Sequence, residues 1–218
     1  MGNFGQISTP EFWMRMFILV ISIGLHEFGH AKFADLAGDP TPRMMGRVTL
    51  NPLKHLDPLG TIFMFLSSLA GMGIGWGKPV LVRPDKMKNP RWDHLISVVA
   101  GPAMNLVLAV IFAMAFRILG PGVGEMGAKF LRTGVLVNVG LMLFNLIPLG
   151  PLDGHWIVGA FLPEPQRVAW YQFNRGIGTM VFLLLVILPL PPEIDPISRL
   201  LGPVLTKVVL FLIGGYPS

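Results

Sequence analysis

Long apolar runs separated by short polar loops constrain the fold of this chain more than any other feature. The runs lie at about residues 12–36, 61–69, 95–119, 131–145, 177–188 and 197–213. Several approach or exceed the length of about 20 residues that a helix needs to cross a bilayer. Backbone polar groups must be paired internally in lipid, so spanning segments of this length are expected to be helices. The pattern predicts an all-α polytopic membrane protein.

The composition supports a membrane protein that forms a single domain, residues 1–218. Hydrophobic residues make up 52% of the chain and charged residues only 13%, against about 25% in soluble domains. The net charge of +5 comes from lysines and arginines scattered through short loops, which fits membrane orientation and not nucleic-acid binding. The chain has no cysteine, so any transition metal must be bound by histidine and carboxylate.

The first apolar run ends in the pattern H-E-x-x-H, formed by His26, Glu27 and His30. Histidines four residues apart lie on one face of a helix, so both imidazoles can bind one metal ion. Glu27 points about 100° away, where a general base beside the open position of the metal belongs. The alternative is a set of polar residues at the end of a core helix. An ionisable cluster inside a membrane segment indicates a functional site by default.

Asp153 is the strongest candidate for a third metal ligand. A carboxylate at the end of an apolar segment is costly unless something neutralises it. Two neutral histidines and one carboxylate form a three-ligand catalytic zinc site, with the fourth position left to water. Alternatively, Asp153 caps the helix that continues through residues 155–157, and both roles can hold at once.

Three further histidines lie outside this set. His155 is two residues from the proposed ligand, and we interpret it as a neighbour of the metal site or an interfacial residue. His55 and His94 are interpreted as a loop residue and a helix-start residue.

The segment 57–77 leaves two alternatives for the number of membrane crossings. Its apolar part, residues 61–69, is too short to span comfortably, and its second half is rich in glycine. We predict a re-entrant hairpin near the active site, flanked by short β pieces at 47–51 and 78–83. A true crossing is the alternative, and the two give five and six transmembrane helices respectively.

With the hairpin, the basic residues predict an orientation. The positive-inside rule places the more basic face in the cytoplasm. That face carries Arg43, Arg47, Lys54, Lys78, Arg83, Lys86, Lys88, Arg91 and Arg167, and the opposite face carries Arg117, Lys129 and Arg132. With five crossings the N-terminus lies outside and the C-terminus inside. The metal, near the C-terminal end of the first helix, lies towards the cytoplasm.

Three motifs on three apolar segments carry a resemblance to a known family. They are His26-Glu-Phe-Gly-His30, Ala100-Gly-Pro-Ala-Met-Asn105 and Asn145-Leu-Ile-Pro-Leu-Gly-Pro-Leu-Asp-Gly154. In this order they resemble the site-2 protease family of intramembrane zinc metalloproteases, peptidase family M50. Gly46-Arg-Val-Thr-Leu-Asn-Pro52 and His55-Leu-Asp-Pro-Leu-Gly60 are similar to its compact prokaryotic branch, which lacks a PDZ or CBS domain.

The resemblance implies one zinc ion per chain, held by His26, His30 and Asp153, with Glu27 as the catalytic glutamate. It implies hydrolysis of a peptide bond within or near the transmembrane segment of a membrane-protein substrate, by a zinc-bound water that Glu27 activates as general base. The expected location is the inner or plasma membrane of a prokaryotic cell, with the active site towards the cytoplasm.

A helical substrate hides its carbonyl groups, so it must be unwound where unmade hydrogen bonds are costly. The piece 78–83, with Val80 and Val82, is therefore expected to offer a strand edge to the substrate. Asn105 and Asn145 either bind the substrate by hydrogen bonds or tie the broken helices together.

Two other classes of function are compatible with an intramembrane metal site. One is a metal-ion transporter with a His/Asp site at mid-membrane, in which Glu27 would have no need to act as a base. The other is a non-catalytic membrane binding protein, which the complete set of metal ligands and base disfavours. The sequence gives no oligomeric state.

Overall fold

The computed structural model describes residue 7 and residues 9–69, 75–120, 122–188 and 195–215. Regular structure in these ranges is helical, which confirms the predicted all-α membrane protein. The helices are α1 (Pro10–Leu36), α2 (Thr41–Met44), α3 (Pro58–Leu69), α4 (Pro90–Leu119), α5 (Gly124–Asn145), α6 (Asp153–Phe161), α7 (Gln166–Phe173), α8 (Thr179–Ile187) and α9 (Pro196–Ile213). A π-helical turn, Asn174–Gly178, joins α7 to α8.

Within the described ranges, four helices are long and apolar enough to cross a membrane: α1, α4, α5 and α9. The sequence predicted five to six. That count is not confirmed: α3 has only 12 residues, and α8 has nine but continues α7 through the π-helical turn as one segment, 166–187. At 1.5 Å per residue, α3 extends only about 18 Å, against about 30 Å of hydrocarbon.

Helices α1 and α4 pack closely because small residues face each other at their contact. A Cβ atom on Gly29 would lie 2.7 Å from the carbonyl oxygen of Ala100. A Cβ atom on Gly101 would overlap Cε1 and Nε2 of His30. The absence of side chains at these two positions brings the histidine-bearing face of α1 against the backbone of α4.

The two ends of segment 57–77 meet. An antiparallel bridge joins Leu56 to Gly77, and the backbone N–H of Lys78 donates to the carbonyl of His55 at 2.7 Å. Helix α3 occupies the first half, and residues 70–74 lie outside the described residues. A hairpin requires these two ends to lie at the same level, whereas a crossing would place them on opposite sides of the membrane. The contact between the ends favours the hairpin.

The predicted β pieces at 47–51 and 78–83 are wrong, since neither range is a strand. The side chain of Arg47 donates to the carbonyls of Lys78 and Pro79, which a paired strand would otherwise use. Residues 48–50 form a bend, and Asn51 then caps a 3₁₀ turn, Pro52–His55. Residues 78–83 are irregular, with the N–H of Arg83 held by the buried carboxylate of Asp39 at 2.7 Å.

Helix α9 runs antiparallel to α5 and ends beside the end of α4. Arg117, near the end of α4, donates to the carbonyl of Phe211 at 2.7 Å. At the other end of α9, Ile197 packs on a cluster that contains Ile147, just after α5, and Val186 of α8 packs on the same cluster. Helix α8 therefore ends at the depth where α9 begins, and α9 leads to the face where α1 begins. The start of α1 and the end of α9 therefore lie on one face, whereas the sequence predicts the two termini on opposite faces.

Candidate active site

His26 and His30 lie on the face of α1 that contacts α4, with their rings side by side. Their Nε2 atoms are 3.0 Å apart. His26 follows the start of α1 by 16 residues, or about 24 Å along the helix axis. The H-E-x-x-H pattern therefore forms the histidine pair that its helical spacing predicts.

Asp153 reaches this pair from the opposite side, as the first residue of α6. Its Oδ2 atom lies 3.2 Å from Nε2 of His26 and 3.4 Å from Nε2 of His30. The N-cap residue of α6 is Leu152, and no side chain caps the helix. The chain breaks after α5 and turns back, so the carboxylate points at the imidazoles and not at its own helix.

The spacing of these three atoms fits a tetrahedral zinc site. Ligands about 2.0–2.1 Å from zinc lie about 3.3–3.4 Å from each other in a tetrahedron, close to the 3.0, 3.2 and 3.4 Å separations here. Oδ2 of Asp153 is buried and lacks a hydrogen-bond partner in the described part of the chain. Among the described residues, His26, His30 and Asp153 are the set of three side chains whose ligand atoms lie close enough together to hold one metal ion.

The other nitrogen of each histidine is held by α4. Nδ1 of His26 donates to Oδ1 of Asn105 at 2.7 Å, and Nδ1 of His30 donates to the carbonyl of Ser97 at 2.9 Å. These bonds leave the Nε2 lone pairs free to bind a metal, and such partners raise the basicity of the ligand. The sequence interpretation missed Ser97, although residues 97, 101 and 105 recur every four positions on one face of α4.

Asn105 is fully buried in a small polar network. Its amide donates to the carbonyl of Ser22 at 3.3 Å and to Oδ1 of Asn138 at 3.2 Å. Asn138 in turn donates to the carbonyl of Gly134 at 2.9 Å. Asn105 thus ties α1, α4 and α5 together at the level of His26, and its amide N–H groups are used within the protein.

Glu27 faces a buried cation that the sequence interpretation did not connect with it. Arg47 is 4% exposed, and its Nη2 atom lies 3.8 Å from Oε2 of Glu27. The same guanidinium donates to the carbonyls of Lys78 and Pro79. Arg47 therefore links the carboxylate on α1 to residues 78–79. In the sequence, Arg47 is one of several basic loop residues. Its partners are 20 or more residues away, so no local pattern connects them.

A cavity of about 980 Å³ opens beside these groups. It is lined by His26, Glu27, His30 and Asp153, and by Val80, Val82 and Asn145. Asn145 donates to the carbonyl of Leu141 at 2.9 Å. Asn105 also reaches the cavity wall, but it contacts His26 with its side-chain oxygen. The predicted substrate-binding residues thus border the space next to the metal ligands.

The other histidines take different positions. His94 lines the cavity and packs edge-on against Trp156, with ring centroids 5.2 Å apart. His155 is buried, and its Nδ1 donates to the carbonyl of Leu152. His55 is fully buried and donates to the carbonyl of Thr49 at 2.9 Å, and burial lowers the pKa of its imidazole.

Two histidines and a carboxylate beside a glutamate, on helices of membrane-spanning length, are typical of a membrane-embedded metallopeptidase. Residues 14–128 match the family model described as peptidase family M50. The chain belongs to peptidase family M50, which confirms the resemblance to the site-2 proteases.

Named relatives agree with this family. The chain is 37% identical over 179 residues to YwhC of Bacillus subtilis, named as a candidate zinc metalloprotease, with 79% of each chain covered. It is 33% identical over 195 residues to Rip2 of Mycolicibacterium smegmatis, named in the same way, covering 85% of this chain and 72% of the relative. It is 27% identical over 159 residues to the zinc metalloprotease MJ0392 of Methanocaldococcus jannaschii, covering 72% of this chain and 37% of the relative. No solved structure matches the chain at a significant level.

Proposed function

We propose that this protein is a zinc-dependent intramembrane endopeptidase, which hydrolyses a peptide bond within or near a membrane-spanning segment of its substrate. The observation that carries the proposal is the tetrahedral spacing of the Nε2 atoms of His26 and His30 and Oδ2 of Asp153. These atoms border a cavity large enough for a peptide segment, between helices of membrane-spanning length.

The residues divide the chemistry between them. One zinc ion held by His26, His30 and Asp153 would polarise the scissile carbonyl and lower the pKa of a water molecule. Glu27, the next residue on α1, accepts the proton of that water and returns it to the leaving amine. Arg47 holds the Glu27 carboxylate near the cavity wall. Asn105 and Ser97 keep the imidazoles in the tautomer that binds metal.

The segment 78–83 supplies the substrate with hydrogen-bonding groups. It is anchored at one end by Arg47 and the carbonyl of His55, and at the other by Asp39. Between these anchors, within the described part of the chain, no hydrogen bond engages the backbone N–H of Val80 or Val82. An unwound substrate pairs with these groups as an added strand. Asn145, on the same cavity, is a further donor or acceptor for the substrate backbone.

The test uses purified protein in phosphatidylcholine nanodiscs and a fluorescent transmembrane peptide. Wild-type protein is expected to contain one zinc per chain and to cleave the peptide. Glu27→Gln should keep the zinc and the thermal unfolding temperature but lose nearly all cleavage, because only the proton acceptor is removed. Asp153→Ala should lose both zinc and cleavage.

The same variants separate the competing functions. Cleavage by Glu27→Gln at the wild-type rate would contradict the proposed mechanism. Zinc transport into proteoliposomes at equal rates by wild type and Glu27→Gln, without proteolysis, would identify a metal transporter. Full zinc content in Asp153→Ala would contradict the ligand set.

A further inference from the structure

The charged side chains that line the cavity away from the metal site are all cationic. Among the described residues, the carboxylates that line the cavity are Glu27 and Asp153, both in the catalytic site. The remaining charged lining residues are Arg91, Arg167 and Arg175, and we call these three the arginine wall.

Arg91 is held at the end of the cavity where α4 begins. Its Nε atom donates to the carbonyl of Ala160 at 2.7 Å, and its Nη2 atom donates to the carbonyl of Leu162 at 3.3 Å. These bonds fix the guanidinium at the end of α6. A guanidinium has five N–H donors, so several remain for another acceptor.

Arg167 and Arg175 extend the wall along α7 into the π-helical turn. With Tyr171 they stand four residues apart, so the three side chains follow one stripe of the helix. The ring of Tyr171 sits on Gly159, where a Cβ atom would overlap it, and packs on Trp156 with centroids 4.8 Å apart. The packing of Tyr171 therefore aligns this stripe with the cavity.

Little negative charge compensates the wall. Arg167 pairs with Glu164, a side chain that is 62% exposed, so solvent screens that pair. In the described part of the chain, Arg175 has neither an acidic partner nor a hydrogen bond. An anionic group that enters the cavity would therefore meet two or three guanidinium groups with free donors.

We propose that the arginine wall selects substrates that carry acidic residues between the scissile bond and the end of the cavity where α4 begins. This inference rests on the proposed function. Membrane-spanning segments commonly carry lysine and arginine on their cytoplasmic flank, which the wall would repel. The wall thus rejects common segments by repulsion and admits a minority by attraction, and both effects contribute to specificity.

The geometry also places the acidic residue along the substrate. Arg91 precedes Ser97, the partner of His30, by six residues, or about 9 Å along α4. An extended peptide advances about 3.3 Å per residue, so that distance corresponds to about three residues. The strongest effect is expected for a charge about three positions from the scissile bond.

The experiment measures peptide binding separately from cleavage. Glu27→Gln protein in phosphatidylcholine nanodiscs is titrated with fluorescent transmembrane peptides that differ only at this position, as aspartate, glutamine or lysine. We expect the aspartate peptide to bind at least about tenfold tighter than the lysine peptide at low salt. Arg167→Glu combined with Arg175→Glu should reverse the order, and the corresponding glutamine variant should weaken the preference, because Arg91 remains.

The matched control is Lys86→Glu combined with Lys88→Glu, which changes the same charge on exposed residues outside the cavity. The control should keep the wild-type order of affinities.

Equal affinities for all three peptides, no binding of any of them, or an unchanged order in the variant with both arginines changed to glutamate would overturn the inference. If the wall binds an anionic lipid headgroup and not the substrate, the order of affinities would not depend on peptide charge, which would also overturn the inference. Binding is measured on the inactive variant, so the two ideas can fail separately. If wild-type protein binds the peptides in the expected order but does not cleave them, the proposed function is contradicted and the inference about binding is not.

Discussion

Asn105 holds the ring of His26 through one short hydrogen bond, and it is itself held by Asn138 and Ser22. Three helices therefore determine where one metal ligand points. A partner of this kind acts on the affinity for the metal more than on the fold, since it fixes the tautomer and the direction of the lone pair.

Asn105→Leu is expected to weaken zinc binding by about 10- to 100-fold, because His26 loses the acceptor of its Nδ1 proton. Competition with a calibrated chelator measures the change. Asn145→Leu is the matched control, since among the described residues the Asn145 side chain bonds the carbonyl of Leu141 alone, and the change should leave zinc affinity unchanged. Equal zinc affinity in wild type and Asn105→Leu would refute the role given to Asn105.

Arg47→Met should lower kcat/KM by about tenfold or more with unchanged zinc content, because Glu27 loses its cationic neighbour and residues 78–79 lose their donor. Arg47→Lys should recover only part of this loss. A single ammonium keeps the charge but cannot serve the carboxylate and both carbonyls as a guanidinium does. If zinc content fell in parallel with activity in both variants, Arg47 would have a purely structural role.

At the scale of elements, the sequence was most informative where spacing along one helix decides the geometry. The helical repeat places His26 and His30 on one face, and the charge cost of Asp153 in an apolar setting identified it as their partner. Contacts between helices were not predictable in this way. Ser97 is 67 residues from His30, and no local pattern states which carbonyl an imidazole will meet.

The errors have physical causes of the same kind. The alternation of residues 47–51 is typical of a strand, but a strand also needs a partner with free carbonyls, and the Arg47 side chain occupies them. The run 177–188 was interpreted as a crossing from its hydrophobicity. It forms the end of a continuous helical segment that begins with α7, and two arginines of the cavity wall, Arg167 and Arg175, lie in the first half of that segment.

The segment 78–83 gives a prediction that depends on successive backbone N–H groups of an extended chain pointing to opposite sides. Proline at position 82 removes a backbone N–H on the side expected to face the substrate, so Val82→Pro should lower kcat/KM for a transmembrane peptide by about tenfold. Leu81→Pro is the matched control, because the N–H of the intervening residue points the other way in an extended chain. Both are compared at equal zinc content. Equal losses in the two variants would leave no support for strand pairing.

At the scale of the whole molecule, four helices of membrane-spanning length place the start of α1 and the end of α9 on one face. Helix α1 runs from that face to the basic loops, and α4 runs back from them. Helix α5 runs towards the basic loops again, and α9 runs back to end beside Arg117. The basic face includes the loops after α1 and before α4, and the positive-inside rule assigns it to the cytoplasm. We therefore propose a metal site that opens towards the cytoplasm of a prokaryotic cell.

Single cysteines on this cysteine-free chain test the arrangement in intact cells with a membrane-impermeant thiol reagent. Cysteine at position 125, between α4 and α5, and at position 215, after α9, should both be labelled. Cysteine at position 86 should be labelled only after the membrane is permeabilised. Labelling at 125 but not at 215 would contradict the four-span arrangement and restore an odd number of crossings.

Gly101 has a consequence for reading gene sequences. The imidazole of His30 occupies the place where a methyl group at this position would stand. A relative with every ligand and the glutamate intact, but with alanine at the equivalent of position 101, would satisfy a motif search and still be unable to seat its histidines. In a survey of genomes, this glycine should separate active members from degenerate copies that have kept the motif.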